Sequence, residues 1–238
     1  MQIEILYVAW NRLEFTSHTW SWMMAHTNWD HVSRVVVYDD GSEDGTLEFL
    51  RDNAKDFRRK HRTIEVELRQ SNLRSPAAIM NHYIATSPAE AFVKIDNDIA
   101  LCGGWLEKLL HVWESNPELE LLGMEAGMVA MQGRDGVIHE PGIELCSHIG
   151  GVGLMRVATF RKHPQIPSRI GFRIGFTEWQ DRYDPVRAWI VPDLDVPQLD
   201  RLPFEPWVSL SAEYVENGWN REWPKYDPRW MAPYWAWM

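Results

Sequence analysis

The sequence lacks the features of several protein classes. Its 238 residues include only two cysteines, Cys102 and Cys146, too few for the disulfide framework of a small secreted domain. We interpret both as buried or half-buried thiols. Basic residues are also scarce, because 24 Lys and Arg stand against 34 Asp and Glu, for a net charge of −10. This balance disfavours nucleic acid as a partner, since phosphate backbones are held by clustered Lys and Arg, but it allows a small anionic ligand bound through a metal ion.

Long apolar runs are absent as well. No window approaches the roughly 18 uncharged apolar residues that a membrane-spanning helix needs. The N-terminal residues MQIEILYVAW also lack the basic and apolar segments of a secretory signal. We therefore expect no transmembrane segment and a cytoplasmic, reducing location.

Tryptophan is present in excess, with 14 residues. Six of them lie in the C-terminal segment 201–238, at Trp207, Trp219, Trp223, Trp230, Trp235 and Trp237. Large aromatic side chains fill cores, interfaces or sugar-stacking surfaces, and we expect most of these to belong to the core. The length and the 45% hydrophobic content predict a single domain over residues 1–200, with the Trp- and Pro-rich segment packed on it as an extension.

The first half of the chain alternates strand-like and helix-like segments. Short apolar or alternating runs predict strands at 3–10, 34–40, 63–69 and 91–96. Apolar spacings of three and four predict helices around 47–57 and 105–113, and Ser75-Pro76 is typical of a helix start. The second half is less regular, with a strand predicted in 119–131 and a Gly-rich strand and turn in 142–156. This alternation predicts an α/β fold with a mostly parallel sheet flanked by helices, whose ligands bind at the carboxyl ends of the strands.

Acidic residues follow two of the predicted strands. The first group is DDGSEDGT, residues 39–46, in which Gly41 permits a tight turn and Asp44 or Thr46 can cap the next helix. A turn alone does not explain two adjacent carboxylates, whose repulsion must be offset by hydrogen-bond donors. A carboxylate here can accept the imide N–H of uracil or an N–H of another base.

The second acidic group is the triplet Asp96-Asn97-Asp98 after the fourth predicted strand. Such a turn presents two hard oxygen ligands to Mg²⁺ or Mn²⁺, and water and diphosphate oxygens complete the coordination. A chance triplet of this kind is common and is usually a solvated turn. Its position after a buried strand, downstream of the DDGS turn, makes the metal interpretation much stronger.

Together these segments resemble a family 2 glycosyltransferase of the GT-A (Rossmann-like) fold. The resemblance rests on ILYVAWNR (5–12), VVVYDDGSEDGT (35–46), NLRSPAAIMN (72–81), FVKIDNDIALCGGWLEKL (92–109) and GGVGLMR (150–156). It implies a nucleotide-binding half over 1–110 and an acceptor half over 111–200. It also implies transfer of a sugar from a nucleotide-sugar donor, with uridine the favoured nucleoside, to an acceptor hydroxyl.

The resemblance implies site residues by position. The donor would be bound by Val8, Trp10, Asn11, Asp40, Arg74, Asp96 and Asn97. Among them, Asp40 would meet the base N–H, and Arg74 would approach the base or the diphosphate. The metal would be held by Asp98, with Asp96 at the ribose or the metal. Gly150, Gly151, Gly153 and Trp179 would lie in the acceptor and sugar region.

A carboxylate general base is expected in GFTEWQDRYDPVR, residues 175–187. Asp181 has the family's spacing to Arg187 and is the first candidate. Glu178 is the second, in an alignment that places Trp179 where the family has Asp. The alternative interpretation of this stretch is an ordinary cluster of surface charges.

The metal site departs from the family at one further position. Many relatives carry a His where this chain has Gln198, so Asp98 would hold the metal alone or with Asp195 or His148. His148 is better explained as a structural residue.

The resulting hypothesis is an inverting glycosyltransferase that uses Mn²⁺ or Mg²⁺ and one carboxylate base. The first alternative is a non-catalytic sugar- or nucleotide-binding module, which the departures at Trp179 and Gln198 keep open. The second is a nucleotidyltransferase on the same scaffold, although its usual Gly-rich loop is replaced here by AWNRLEF. The donor sugar, the class of acceptor and a homo-oligomeric state are left open.

Overall fold

The structure is a computed structural model that describes residues 1–73, 75–124, 143–145, 149–150, 152–168 and 172–190. The strands in this part of the chain are β1 (Ile3–Ala9), β2 (Val32–Asp39), β3 (Glu65–Gln70), β4 (Ala91–Asp96), β5 (Leu121–Gly123), β6 (Ile143–Leu145), β7 (Gly153–Arg156) and β8 (Arg187–Ile190). The α-helices are α1 (Leu13–His26), α2 (Thr46–Lys60), α3 (Pro76–Thr86), α4 (Trp105–Ser115), α5 (Val157–Arg161) and α6 (Phe172–Tyr183).

The strands form one sheet in the order β3-β2-β1-β4-β7-β5-β8-β6. The first four are mutually parallel, β7 is antiparallel to both of its neighbours, and β8 is parallel to β5. The strand β6 is antiparallel to β8 and closes the order. Six strands therefore run in one direction, and the predicted mostly parallel α/β sheet is confirmed.

Alternating side chains of the central strand divide the core into two layers. On one face, Ile5 and Tyr7 pack with residues of α1, α2 and α4. On the other face, Leu6 and Val8 pack with residues of α3, α5 and α6. The sheet is thus covered on both sides, which explains why its inner strands are continuous apolar runs.

The predicted helices are confirmed, and three helices escaped prediction. The helix start at Ser75 has the expected cap, since its Oγ accepts a hydrogen bond from the Ala78 backbone N–H at 3.2 Å. The sequence analysis missed α1, α5 and α6. In α6 the buried residues Phe176 and Trp179, with the half-buried Tyr183, follow a helical spacing that could have revealed it.

The parallel strands bring three loops to one edge of the sheet. Residues 10–12 follow β1, residues 40–45 follow β2, and residues 97–104 follow β4. The strands β5 and β8 begin at the opposite edge, where Val186 accepts the Glu120 and Leu121 backbone N–H groups. Both acidic groups found in the sequence therefore lie at the carboxyl-terminal edge, where ligands of such sheets bind.

The backbones of β7 and β5 approach each other closely at Gly153. Gly153 has φ +153°, and a Cβ added there would lie 2.2 Å from the Leu122 carbonyl oxygen. Only glycine fits this position, which explains one glycine of the segment without any ligand. Within the described residues, no helix has the length and apolar character needed to cross a membrane.

Candidate active site

Asn11 and Asn97 join the three loops at the carboxyl-terminal edge. The backbone N–H of Asn11 donates to Ser42 Oγ at 2.8 Å, and its side-chain Oδ1 accepts the Glu43 N–H at 2.8 Å. Asn97 Nδ2 donates to the Asn11 carbonyl at 2.9 Å and to Thr16 Oγ1 at 2.8 Å. Both asparagines, predicted to bind the donor, are buried and connect loop to loop.

Asp44 ties the start of α1 to the start of α2. Its Oδ2 accepts the Leu13 N–H at 2.9 Å, and its Oδ1 accepts the Thr46 N–H at 3.1 Å. The N-cap of α2 is Gly45, with φ +96°, and neither of the two residues expected to cap this helix takes that position. Asp44 instead precedes the cap and accepts the N–H of the first helical residue, Thr46. One carboxylate thus satisfies exposed N–H groups of two helices.

Asp98 is paired with Arg12. The Arg12 Nη2 donates to Asp98 Oδ2 at 3.1 Å and to Asn97 Oδ1 at 3.0 Å. The two side chains of the ion pair are only 13% and 7% exposed. The second oxygen, Asp98 Oδ1, is buried and accepts no hydrogen bond from the described residues.

The chemistry of Asp98 fits a divalent cation. A buried carboxylate oxygen without a donor is costly, and a hard cation satisfies it. No group of three or more His, Cys, Asp or Glu side chains in the described ranges could enclose a metal. Protein ligation would therefore be sparse, with diphosphate oxygens and water filling the remaining positions, as in sites that take Mg²⁺ together with a phosphate ligand.

Asp96 is engaged by a buried lysine. Lys94 is fully buried on β4, and its Nζ donates to Asp96 Oδ1. Burial raises the pKa of the Asp96 carboxyl, and the Lys94 charge opposes that effect. Both carboxylates of the triplet thus have a cationic partner, and Asp98 differs from Asp96 in keeping a buried oxygen without a donor among the described residues.

Asp40 organises the loop that follows β3. Its Oδ1 accepts Ser71 Oγ–H at 2.8 Å and the Leu73 N–H at 2.7 Å, and its Oδ2 accepts the Ser75 N–H at 3.1 Å. The neighbouring Asp39 accepts the Gly41 and Ser42 N–H groups through Oδ2. These donors are what allows two adjacent carboxylates to end one strand. The contact of Asp40 with a nucleobase stays a prediction.

Val8 and Trp10, two further residues expected to bind the donor, differ in exposure. Val8 is 6% exposed, pairs in register with Asp96, and packs in the core layer beneath α3. Trp10 is half-buried at the end of β1. Of the two, Trp10 offers the more accessible surface to a ligand.

Trp179 packs in the core. Its side chain is 2% exposed, its Nε1–H donates to the Pro164 carbonyl at 2.9 Å, and its ring lies 4.8 Å from that of Phe160, nearly parallel. A contact with sugar would require the ring to leave this position. On the same helix, Gln180 forms two hydrogen bonds with the backbone of Ile149, next to the buried Gly150.

The two candidate bases lie on the exposed side of α6. Glu178 is 46% exposed, and its Oε1 lies 3.9 Å from Arg182 Nη2. Asp181 is exposed in the last turn. The C-terminal end of α6 leads into β8, which begins at the edge of the sheet opposite Asp98. Asp181 follows Glu178 by three residues and therefore lies about 4.5 Å further along the helix, away from the edge that carries Asp98. Helix direction therefore favours Glu178, the second choice from the sequence.

Several predicted site residues lie outside the described residues. They are Arg74, Gly151, His148, Asp195, Gln198 and the Trp-rich segment 201–238.

Arg12 and Lys94 were missed as site residues by the sequence analysis. Lys94 had a readable signal, since a lysine inside the apolar strand AFVKID needs a buried partner and Asp96 lies two residues on, on the same face. Arg12 had none, because Asn97 and Asp98, the acceptors of its described hydrogen bonds, lie more than 80 residues away in the chain.

Sequence comparison finds a family match over part of the chain. Residues 25–124 match the model of the glycosyl transferase family 2. The matched segment runs from the last turn of α1 past β5 and includes both acidic groups. The resemblance stated from the motifs is thereby confirmed. No curated protein was found to match the sequence.

Solved structures share the fold. The mannosyltransferase PcManGT from Pyrobaculum calidifontis, in complex with GDP-Man and Mn²⁺, has a TM-score of 0.64 at 15% identity, covering 98% of this chain and 67% of that chain. S. aureus TarS in complex with UDP-GlcNAc has a TM-score of 0.60 at 13% identity, covering 94% and 68%. At these identities the likeness establishes the GT-A fold. With the family match over residues 25–124, it indicates a glycosyltransferase.

The hydrogen bonds of Asp40 generate a test of its role. Replacing Asp40 with Ala leaves three donors without their acceptor, so we expect a loss of unfolding free energy of about 2 kcal/mol or more. Ser71→Ala, which removes one donor, is the matched control and should cost about 1 kcal/mol. Urea unfolding measures both. Parental stability of Asp40→Ala, combined with weaker nucleotide binding, would instead assign Asp40 to the nucleobase.

Proposed function

We propose that this chain is an inverting, metal-assisted glycosyltransferase that moves a sugar from a nucleotide sugar to an acceptor hydroxyl. The observation that carries the proposal is the buried Asp98 Oδ1, without a donor among the described residues, in the loop after β4. It lies within the segment that matches the family model. A carboxylate oxygen that has no donor and lies at the ligand-binding edge of the sheet is a suitable ligand for Mn²⁺ or Mg²⁺ in complex with a diphosphate.

The charged and polar groups around Asp98 have separate proposed roles. A divalent cation bound at Asp98 supplies Lewis acidity to the diphosphate leaving group. Asn97 holds the loop in place through its hydrogen bonds to Asn11 and Thr16. Lys94 keeps the neighbouring Asp96 compensated, so that the strand end can carry two carboxylates. The complex of the similar PcManGT with GDP-Man and Mn²⁺ supports this use of metal.

Inversion follows from a single displacement. A carboxylate on α6 removes the proton of the acceptor hydroxyl while that oxygen attacks the anomeric carbon and the diphosphate leaves from the opposite face. No protein nucleophile takes part in this scheme, so the configuration inverts. Glu178 is the base favoured by the direction of α6, and Asp181 is the alternative.

A uracil base in the donor agrees with the remaining capacity of Asp40. A carboxylate offers about four lone-pair positions, and the described residues fill three of them. The fourth could accept one N–H, which is what the imide of uracil presents. S. aureus TarS, which shares the fold, binds UDP-GlcNAc.

One observation favours a second candidate function, a binding module without catalysis. Trp179 stands where the family has an acidic residue, and the structure buries its ring in the core. If neither Glu178 nor Asp181 replaces the missing acid, the site would bind a nucleotide sugar without transferring it.

The metal role predicts coupled binding. UDP should bind at least about tenfold more tightly with Mn²⁺ than with chelator, a difference of about 1.4 kcal/mol. Asp98→Asn should abolish this increment, whereas Asp52→Asn, on the exposed side of α2, should keep it. Isothermal titration calorimetry measures each case. Equal affinity of the parent with and without Mn²⁺ would contradict the metal role.

The base predicts a rate effect without a binding effect. Glu178→Gln should lower turnover by roughly 10² to 10⁴, because proton removal contributes only in the transition state, and should leave UDP affinity unchanged. Asp181→Asn is the matched comparison and should keep turnover within about threefold. Turnover is followed by release of nucleoside diphosphate. If Asp181→Asn shows the large loss instead, the assignment reverses, and if both variants keep parental turnover the base lies elsewhere.

A further inference from the structure

Arg12 occupies an unusual place in the first loop. It lies directly before α1 with φ +61°, in the left-handed region that non-glycine residues seldom adopt. Its guanidinium carbon lies 5.6 Å from the centroid of the Phe15 ring. A single nitrogen, Nη2, reaches both Asn97 Oδ1 and Asp98 Oδ2 across the gap between two loops. The strained backbone and the Phe15 ring thus aim a cation at the one carboxylate of the D-x-D turn that lacks a lysine partner.

The guanidinium and a divalent cation compete for the same group. An ion pair with side chains 13% and 7% exposed is weakly screened by solvent, so losing it is costly. A cation bound at Asp98 brings two further positive charges beside Arg12. The cost is lowest if the guanidinium has another anion to bind at that moment. A diphosphate is such an anion, because its oxygens match the planar donors of arginine.

We propose that Arg12 is an exchange residue that couples metal binding to diphosphate binding. Without ligands, Arg12 neutralises Asp98 and holds the metal affinity down. When a nucleoside diphosphate binds, Arg12 turns from Asp98 to the diphosphate and leaves the carboxylate to the cation. The inference rests on the proposed function, since it takes Asp98 as the metal ligand. The inference goes further in that Arg12 would lower the affinity of the site for the cation when no diphosphate is bound.

The geometry allows this exchange without unfolding the loop. Arg12 Nη2 also donates to Asn97 Oδ1, and Asn97 is itself fixed through its Nδ2 to the Asn11 carbonyl and Thr16 Oγ1. The loop after β4 therefore stays attached to the loop after β1 when the contact with Asp98 is given up.

Thermodynamic linkage between Mn²⁺ and UDP binding gives the size of the expected effects. If Arg12 opposes the metal and favours the diphosphate, then each ligand must raise the affinity for the other by the same factor. Removing the charge of Arg12 should strengthen binding of Mn²⁺ alone, weaken binding of UDP alone, and reduce the factor that couples them. A purely structural arginine would weaken both ligands or neither.

The test uses the full chain and two neutral variants, Arg12→Gln and Arg12→Asn. Glutamine keeps most of the side-chain length, and asparagine tolerates the left-handed backbone. The test can be read from whichever of the two variants folds. Arg12→Lys is the charge-retaining control. Binding of Mn²⁺ alone is measured from the electron paramagnetic resonance signal of the free ion, and binding of UDP is measured with and without Mn²⁺ by calorimetry. Circular dichroism confirms folding.

We expect the neutral variants to bind Mn²⁺ alone at least about fivefold more tightly than the parent, and the coupling factor to fall at least about fivefold. Arg12→Lys, which keeps the charge beside Asp98, should bind Mn²⁺ alone within about twofold of the parent. Folded neutral variants that bind Mn²⁺ no more tightly than the parent would overturn the inference. Asp98→Asn, compared with the parent in the presence of UDP, separates the two claims: if it binds Mn²⁺ as well as the parent does, the proposed metal site fails. If it loses Mn²⁺ while the neutral Arg12 variants bind Mn²⁺ alone no more tightly than the parent, only the exchange role fails.

Discussion

The charge carried at one edge of the sheet is the constraint on which the site depends. Parallel strands deliver four aspartates to that edge, in two pairs, and each must find donors of its own. Asp39 and Asp40 take backbone N–H groups and a serine, Asp96 takes a buried lysine, and Asp98 takes Arg12. The loops after β1, β2, β3 and β4 are consequently fixed by the same hydrogen bonds that neutralise the acids.

This arrangement leaves the aspartates of the site unequal. Asp40 accepts three hydrogen bonds and shapes a loop, and Asp96 has a fully buried lysine as its counter-ion. Asp98, like Asp39, keeps a buried oxygen without a donor among the described residues, but its other oxygen pairs with a cationic side chain, that of Arg12. A metal-assisted reaction needs a ligand of this last kind, and the others supply the rigidity that holds it in place.

Local patterns in the sequence predicted the strands, the capped start of α3 and the edge of the sheet that carries the acids, because each is encoded within a few neighbouring residues. The partners of those acids were beyond reach. Arg12 meets Asp98 only through the pairing of β1 with β4, and the donors of Asp40 come from the loop after β3. The order of the two candidate bases also depended on the direction of α6, a helix that the sequence analysis had missed.

The central claim is that this edge binds a nucleotide sugar and activates its glycosyl bond. The most direct test is to incubate the parent chain with a panel of UDP- and GDP-linked sugars and Mn²⁺, and to measure release of the nucleoside diphosphate by slow hydrolysis in the absence of acceptor. The account predicts release from at least one donor, abolished by chelator and by Asp98→Ala. Release from none of the donors, with no nucleotide sugar bound in calorimetry, would contradict it.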